Sequence, residues 1–204
     1  MALSGGAAWA EPVVIAALGD SLTQGYGLPA AEGFVPQLES WLTEAGEEVQ
    51  LINAGVSGDT TAGGAARVAW TLTPEVDAMI VTLGGNDFLR GIDPAVSRAN
   101  LEAILREAEA QEIEVMLVGM EATTNYGPAY KEAFDAMYPE LAADFGALHV
   151  ESFFGGLLEE AEADRQAAFA AYMQPDGIHP NAEGVARIVA ALGPEVQRLI
   201  DRVE

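Results

Sequence analysis

The stretch "VVIAALGDSLTQGYG", residues 13–27, runs six apolar residues straight into a glycine, an aspartate and a serine. An apolar run without polar interruption predicts a strand covered on both faces, because a strand with one wet face would alternate. The chain has only six serines among 204 residues, yet places one where this strand ends. A loop at that point can cradle a phosphate, cap a helix or hold a nucleophile.

The same pattern recurs along the chain. Short apolar runs at Val13–Leu18, Val49–Asn53, Ala78–Leu83, Ile113–Gly119 and Ala147–Val150 predict five strands. Helical spacing fills the gaps at Phe34–Ala45, Thr60–Thr71, Ser97–Ala110 and Ala129–Phe145, and Val185–Val203 predicts a closing helix with Asn181 as N-cap. Strand–helix alternation of this kind implies an α/β fold, a three-layer α/β/α sandwich on a five-stranded parallel sheet. No repeat, low-complexity stretch or long linker interrupts residues 12–204, which read as a single domain. Residues 1–11 read differently. There Ala8-Trp9-Ala10 before Glu11 fits a signal-peptidase site and points to a periplasmic or secreted protein. The alternative is a flexible extension of no meaning on a cytoplasmic protein. No apolar run approaches the roughly 18 residues of a membrane span.

Half of the residues are apolar, as a globular chain requires, and 32 acids against 9 bases leave a formal net charge of −23. Such a surface repels a phosphate backbone, so nucleic acid is not an expected partner. The one lysine, Lys131, has no phosphate-loop glycines before it. With no cysteine, disulfides, thiolate nucleophiles and Cys-type zinc sites are excluded. No D-x-[DN]-x-[DN]-G calcium loop occurs either, so a site without metal or cofactor is expected.

In doubly wound sheets, ligands bind outside the carboxyl ends of the strands. Three polar, glycine-containing stretches follow the first three strands: Gly19-Asp20-Ser21-Leu22, Asn53-Ala54-Gly55-Val56-Ser57-Gly58-Asp59 and Gly84-Gly85-Asn86-Asp87. A serine hydroxyl needs a base before it can attack, and the usual base is histidine. His149, between Leu148 and Val150 on a predicted strand, has no carboxylate just upstream and reads as structural. His179 lies in "QPDGIHPNAEG", three residues after Asp176 across an Asp-Gly turn, and Pro180 keeps it out of helical geometry. The same letters also read as a plain turn before a capped helix. Donors for an oxyanion are on hand in the amides of Ser21 and Gly55 and the side-chain amide of Asn86. Taken singly, Gly55 or Asn86 would be an ordinary turn residue.

Four blocks stand in order along the chain: "GDSL", "NAGVSGDT", "LGGND" and "DGIHPN". In these the chain resembles the SGNH (GDSL) hydrolase superfamily, closest to its bacterial thioesterase I / lysophospholipase L1 / arylesterase group. That group's "SGDT", "LGGNDxLRG" and "NYGxxYxxAFxxxYPxLA" read here "SGDT", "LGGNDFLRG" and "NYGPAYKEAFDAMYPELA". The likeness runs from about Val13 to the C-terminus. It implies a flavodoxin-like SGNH hydrolase fold, with Ser21 as nucleophile, His179 as general base and Asp176 orienting the imidazole. It implies that Ser21, Gly55 and Asn86 form the oxyanion hole and that Asp20 is a structural acceptor in the nucleophile turn. "DFLRGI" would be a mobile loop beside an acyl pocket, its Asp87, Phe88, Leu89 and Ile92 meeting substrate together with Tyr126, although these could equally be packing residues. The implied activity is cofactor-free hydrolysis of carboxylic esters, of arylesterase or lysophospholipase type, and of acyl thioesters such as acyl-CoA. Thr23 stands where many relatives carry serine. No G-x-S-x-G occurs, so the elbow of the α/β-hydrolases is not the pattern here. Two other readings compete: a carbohydrate deacetylase of the same superfamily, and a flavodoxin-like, flavin-binding electron carrier. The carrier gives no use for Asp176 and His179.

Overall fold

Parallel strands cannot be joined by hairpins, and their right-handed crossovers decide which face each helix covers. The computed structural model describes residues 12–158 and 170–203. Ala8-Trp9-Ala10 lies outside them. Strands β1 (Val13–Gly19), β2 (Val49–Gly55), β3 (Ala78–Thr82), β4 (Glu114–Val118) and β5 (Leu148–Val150) form one parallel sheet in the order β2-β1-β3-β4-β5. The chain steps outward from β1 to β2, then crosses back to β3 and continues to the far edge. Its direction of travel therefore reverses between β1 and β3.

The helices are α1 (Ser21–Gln24), α2 (Phe34–Ala45), α3 (Thr61–Thr71), α4 (Gly85–Leu89), α5 (Pro94–Ala110), α6 (Pro128–Phe145), α7 (Gly155–Leu158) and α8 (Ala182–Val203). On one face α8 packs against α2 and α7, and on the other α5 sits between α3 and α6. Double coverage explains the unbroken apolar runs. Every residue of β3 is buried, and so is all of β1 except Val14. At the edge, β2 buries only Leu51, which is why "VQLINAG" mixes polar with apolar.

Where the helices begin is set by capping. The predicted start of α5 at Ser97 was three residues late. Asp93 Oδ1 accepts from the Ala95 N–H at 2.9 Å, and Pro94 takes the first helical position, where a missing N–H costs nothing. The Asn181 cap of α8 is present, its Oδ1 accepting from the Gly184 N–H at 3.0 Å. Helices α1, α4 and α7 run four or five residues each, too short to carry a periodic signal, and were not foreseen.

The α2–α8 contact is close enough to dictate a residue. A Cβ on Gly193 would lie 2.4 Å from Trp41 Cε3, so only glycine lets the indole rest on the helix backbone. Gly193→Leu should therefore destabilise the protein by about 1–3 kcal/mol, despite the better helix propensity of leucine. Urea unfolding measures it. A midpoint equal to or above that of the parent would mean that the two helices have slack between them.

Candidate active site

The nucleophile turn is built on a buried carboxylate. Asp20 follows the last residue of β1 and caps α1, its Oδ1 accepting from the Leu22 N–H at 3.0 Å. Its Oδ2 accepts from Asn86 Nδ2, also at 3.0 Å. Asp20 is 2% exposed. Burial pushes its carboxyl above the usual range, and the hydrogen bonds from Leu22 and Asn86 oppose that rise. Asn86 is fixed from its own side as well. It is the second residue of α4, whose N-cap Gly84 sits at φ +119° with no room for a Cβ because Tyr138 Oη would be 2.1 Å away. That hydroxyl donates to the Leu83 carbonyl at 3.0 Å and pins the β3–α4 corner.

The third element arrives from the loop before α8. Asp176 Oδ1 accepts from the N–H groups of Ile178 and His179 at 2.9 and 3.0 Å, while Oδ2 faces His179 Nδ1 at 2.7 Å. The hydrogen bond to the imidazole, with help from the two backbone donors, lowers the Asp176 pKa to about 2. An ionised carboxylate accepts only, so Nδ1 holds its proton and Nε2 is left as the acceptor. Nε2 faces Ser21 Oγ at 2.8 Å. Gln174 moors this loop, its Nε2 donating to the carbonyls of Tyr26 and Pro180 at 2.8 and 3.0 Å and its backbone N–H to that of His179 at 2.7 Å. The Tyr26 ring lies against the imidazole, with centroids 4.6 Å apart.

Ser21, Asn86 and His179 open together on a cleft of about 690 Å³, with Leu22, Phe88, Leu89, Met120, Met173 and Ile178 forming an apolar wall. Such an arrangement can deprotonate a hydroxyl, hold an acyl chain and offer N–H donors to a developing oxyanion. Not every residue expected here is in the cleft.

Gly55 is not. Its N–H donates to Asn53 Oδ1 at 3.0 Å, and a Cβ on it would lie 2.3 Å from the backbone nitrogen of Gln24. It is the point where the second loop presses on α1. Gly58, three residues on, lines the cleft at φ +84°, and its N–H has no partner among the described residues. The signal was in the same stretch, a second glycine in "VSGD", but nothing in the letters says which glycine turns inward. Asp87 is also misplaced as a substrate contact. It is fully buried, accepting from the Thr61 N–H and hydroxyl at 2.8 and 2.5 Å and from Ser97 Oγ at 2.9 Å, and so joins α3 and α5 to α4. Ile92 does not line the cleft either, and its carbonyl takes a hydrogen bond from Tyr130 Oη at 2.8 Å. Tyr126 stands behind Phe88, edge to face at 6.0 Å, instead of lining the cleft itself. Of the "DFLRGI" loop, Phe88 and Leu89 reach the cleft.

His149 lies on β5 away from the cleft. Burial lowers its pKa, and its Nε2 is buried without a partner among the described residues. Among those residues, no group of three or more metal-ligating side chains is placed to hold an ion, and no helix is long and apolar enough to cross a membrane.

Residues 17–187 match the GDSL-like Lipase/Acylhydrolase family. The chain is 36% identical to esterase TesA of Pseudomonas aeruginosa over 184 residues, 90% of this chain and 87% of that protein. It is 34% identical over 197 residues to thioesterase 1/protease 1/lysophospholipase L1 of Escherichia coli K12, 96% of this chain and 88% of the relative. Among solved structures, AlinE4, an SGNH-hydrolase family esterase, shares 42% identity with a TM-score of 0.73, over 94% of this chain and 98% of that one.

The placement of Asp87 has a measurable consequence. Asp87→Ala leaves three buried donors unpaired, at about 1–3 kcal/mol each. It should lower the unfolding midpoint sharply, as read by urea denaturation followed by circular dichroism. A variant with parental stability and a raised KM would instead return Asp87 to the substrate site.

Proposed function

The chain belongs to the GDSL-like lipase/acylhydrolase family, and from that premise we propose that it hydrolyses carboxylic esters and acyl thioesters through an acyl-enzyme on Ser21. One observation carries the reading: the 2.8 Å contact between Ser21 Oγ and Nε2 of a histidine whose other nitrogen faces Asp176 at 2.7 Å.

In the proposed mechanism the neutral His179 takes the hydroxyl proton at Nε2 as Ser21 Oγ attacks the acyl carbonyl. The Asp176 carboxylate holds Nδ1–H and stabilises the imidazolium that forms. The carbonyl oxygen becomes an oxyanion, to which Asn86 Nδ2 and the N–H groups of Ser21 and Gly58 can donate. Gly58 takes the role expected of Gly55, whose N–H is already committed. Asn86 spends one of its two amide hydrogens on Asp20, so the carboxylate holds the amide in place and leaves the other hydrogen for the oxyanion. His179 then protonates the leaving group. The acyl-enzyme is hydrolysed by a water that His179 deprotonates in turn, restoring the serine. The apolar wall of the cleft favours an acyl chain over a sugar. The Ala8-Trp9-Ala10 motif supports a periplasmic or secreted location, and the charge of −23 supports small-molecule substrates over nucleic acid.

Two experiments test this reading. Ser21→Ala should leave the circular dichroism unchanged and lower kcat on a p-nitrophenyl ester by several orders of magnitude, and Asn86→Ala should lower it by about 10²–10³ with KM nearly constant. Parental kcat in either variant would end the reading. Asp176, with its pKa lowered to about 2, is ionised from there upward and adds no limb of its own to the pH profile.

A further inference from the structure

The acyl-hydrolase reading leaves the leaving group unspecified, and the distribution of charge around the cleft bears on it. Among the described residues lining the cleft, Lys131 is the only cation, and Glu121 lines the same wall. The ammonium of Lys131 is already engaged, donating to the Ala122 carbonyl at 2.7 Å and to Asp135 Oδ2 at 2.5 Å. The two arginines nearest the loops are turned onto protein groups as well. Arg90 Nη2 donates to the Gly58 carbonyl at 2.7 Å. Arg67 spends Nε on Asp59, Nη1 on the Ala54 carbonyl and Nη2 on the Gly19 carbonyl, at 2.7, 2.7 and 2.8 Å. Lys131, Arg90 and Arg67 thus hold loops together, while the chain as a whole carries −23. Asp176, ionised down to about pH 2, adds a charge beside the nucleophile.

Two ranges of electrostatics then act on a substrate. The oxyanion is met within hydrogen-bond distance by neutral N–H dipoles, which net charge does not weaken. A leaving group that projects from the mouth instead feels the summed field, which reaches about 30 Å at 0.01 M salt but only about 3 Å at 1 M. Fields of this kind change encounter rates by roughly 10–10³-fold. Resting on the acyl-hydrolase reading, we infer that the site selects esters and thioesters with uncharged leaving groups and disfavours phosphate-bearing thiols such as coenzyme A through long-range repulsion.

The test compares two thioesters with the same acyl group and the same scissile bond, octanoyl-CoA and octanoyl-N-acetylcysteamine. They share the cysteamine end of the leaving thiol, and coenzyme A adds the pantothenate arm, adenosine and the phosphates, so the salt dependence of the gap is what isolates charge from size. At about 0.01 M ionic strength, kcat/KM for the CoA thioester should fall at least about tenfold below that for the neutral one, and the gap should close as salt rises to about 0.5 M. The neutral thioester should change little over that range. Glu121→Gln should narrow the low-salt gap, since the ratio of the two substrates cancels any general effect on turnover. Equal kcat/KM at low salt overturns the inference, and so does a gap that salt does not move, which would be steric. If neither the neutral thioester nor a p-nitrophenyl octanoate ester is hydrolysed, the acyl-hydrolase reading fails and this inference goes with it.

Discussion

A single buried carboxylate holds the site to the sheet. Asp20 stands where the winding of the sheet reverses, with β1 and α1 on one side and β3 and α4 on the other. It accepts from Leu22 on the first and from Asn86 on the second. A buried carboxylate that loses such partners costs several kcal/mol, so the two strand ends are held to each other by the need to keep it satisfied. Ser21 and Asn86 come from opposite sides of that junction, 65 positions apart in the chain, and face one cleft because the same group binds both corners. A crevice at a winding reversal is where open α/β sheets bind ligands in general, since the loops there part in opposite directions.

Around this junction, cationic side chains act as ties between loops. Arg67 reaches from α3 across the ends of β1 and β2, with three bonds to groups that would otherwise be carbonyls and a carboxylate pointing at one another. Arg90 ties the segment that carries Phe88 and Leu89 to the Gly58 turn. Planar guanidinium groups with fixed donor directions suit this task better than lysine would. Both guanidinium groups are thereby engaged with protein groups of the rim.

The histidine loop is organised more locally. Asp176 binds the backbone of residues two and three positions on and the ring of the third, all within one Asp-Gly turn. Its partners are close in sequence, so the pairing of Asp176 with His179 is legible in "DGIHPN". What brings that turn to Ser21 is not. It depends on Gln174 bonding to the Tyr26 carbonyl, a contact 148 positions away in the chain.

Local sequence by itself determined much of this protein. Short uninterrupted apolar runs alternating with helical patterns marked strands covered on both faces. Cap chemistry at Asn181 fixed the start of the last helix, and the residue types at Ser21, Asn86 and His179 defined which chemistry was available. Tertiary structure decided what has no local signature. The winding reversal between β1 and β3 is a property of strand order, not of any strand's letters. Gly55 and Gly58 read alike in "NAGVSGD", and only the approach of α1 to the first of them leaves the second to face the cleft. Asp87, next to Asn86, points the other way because α4 is a helix, and successive residues on a helix do not share a face. Its carboxylate is consumed by Thr61 and Ser97. Side-chain chemistry is written residue by residue, but which side chains meet is set by packing between elements distant in sequence, and that is where the letters fall silent.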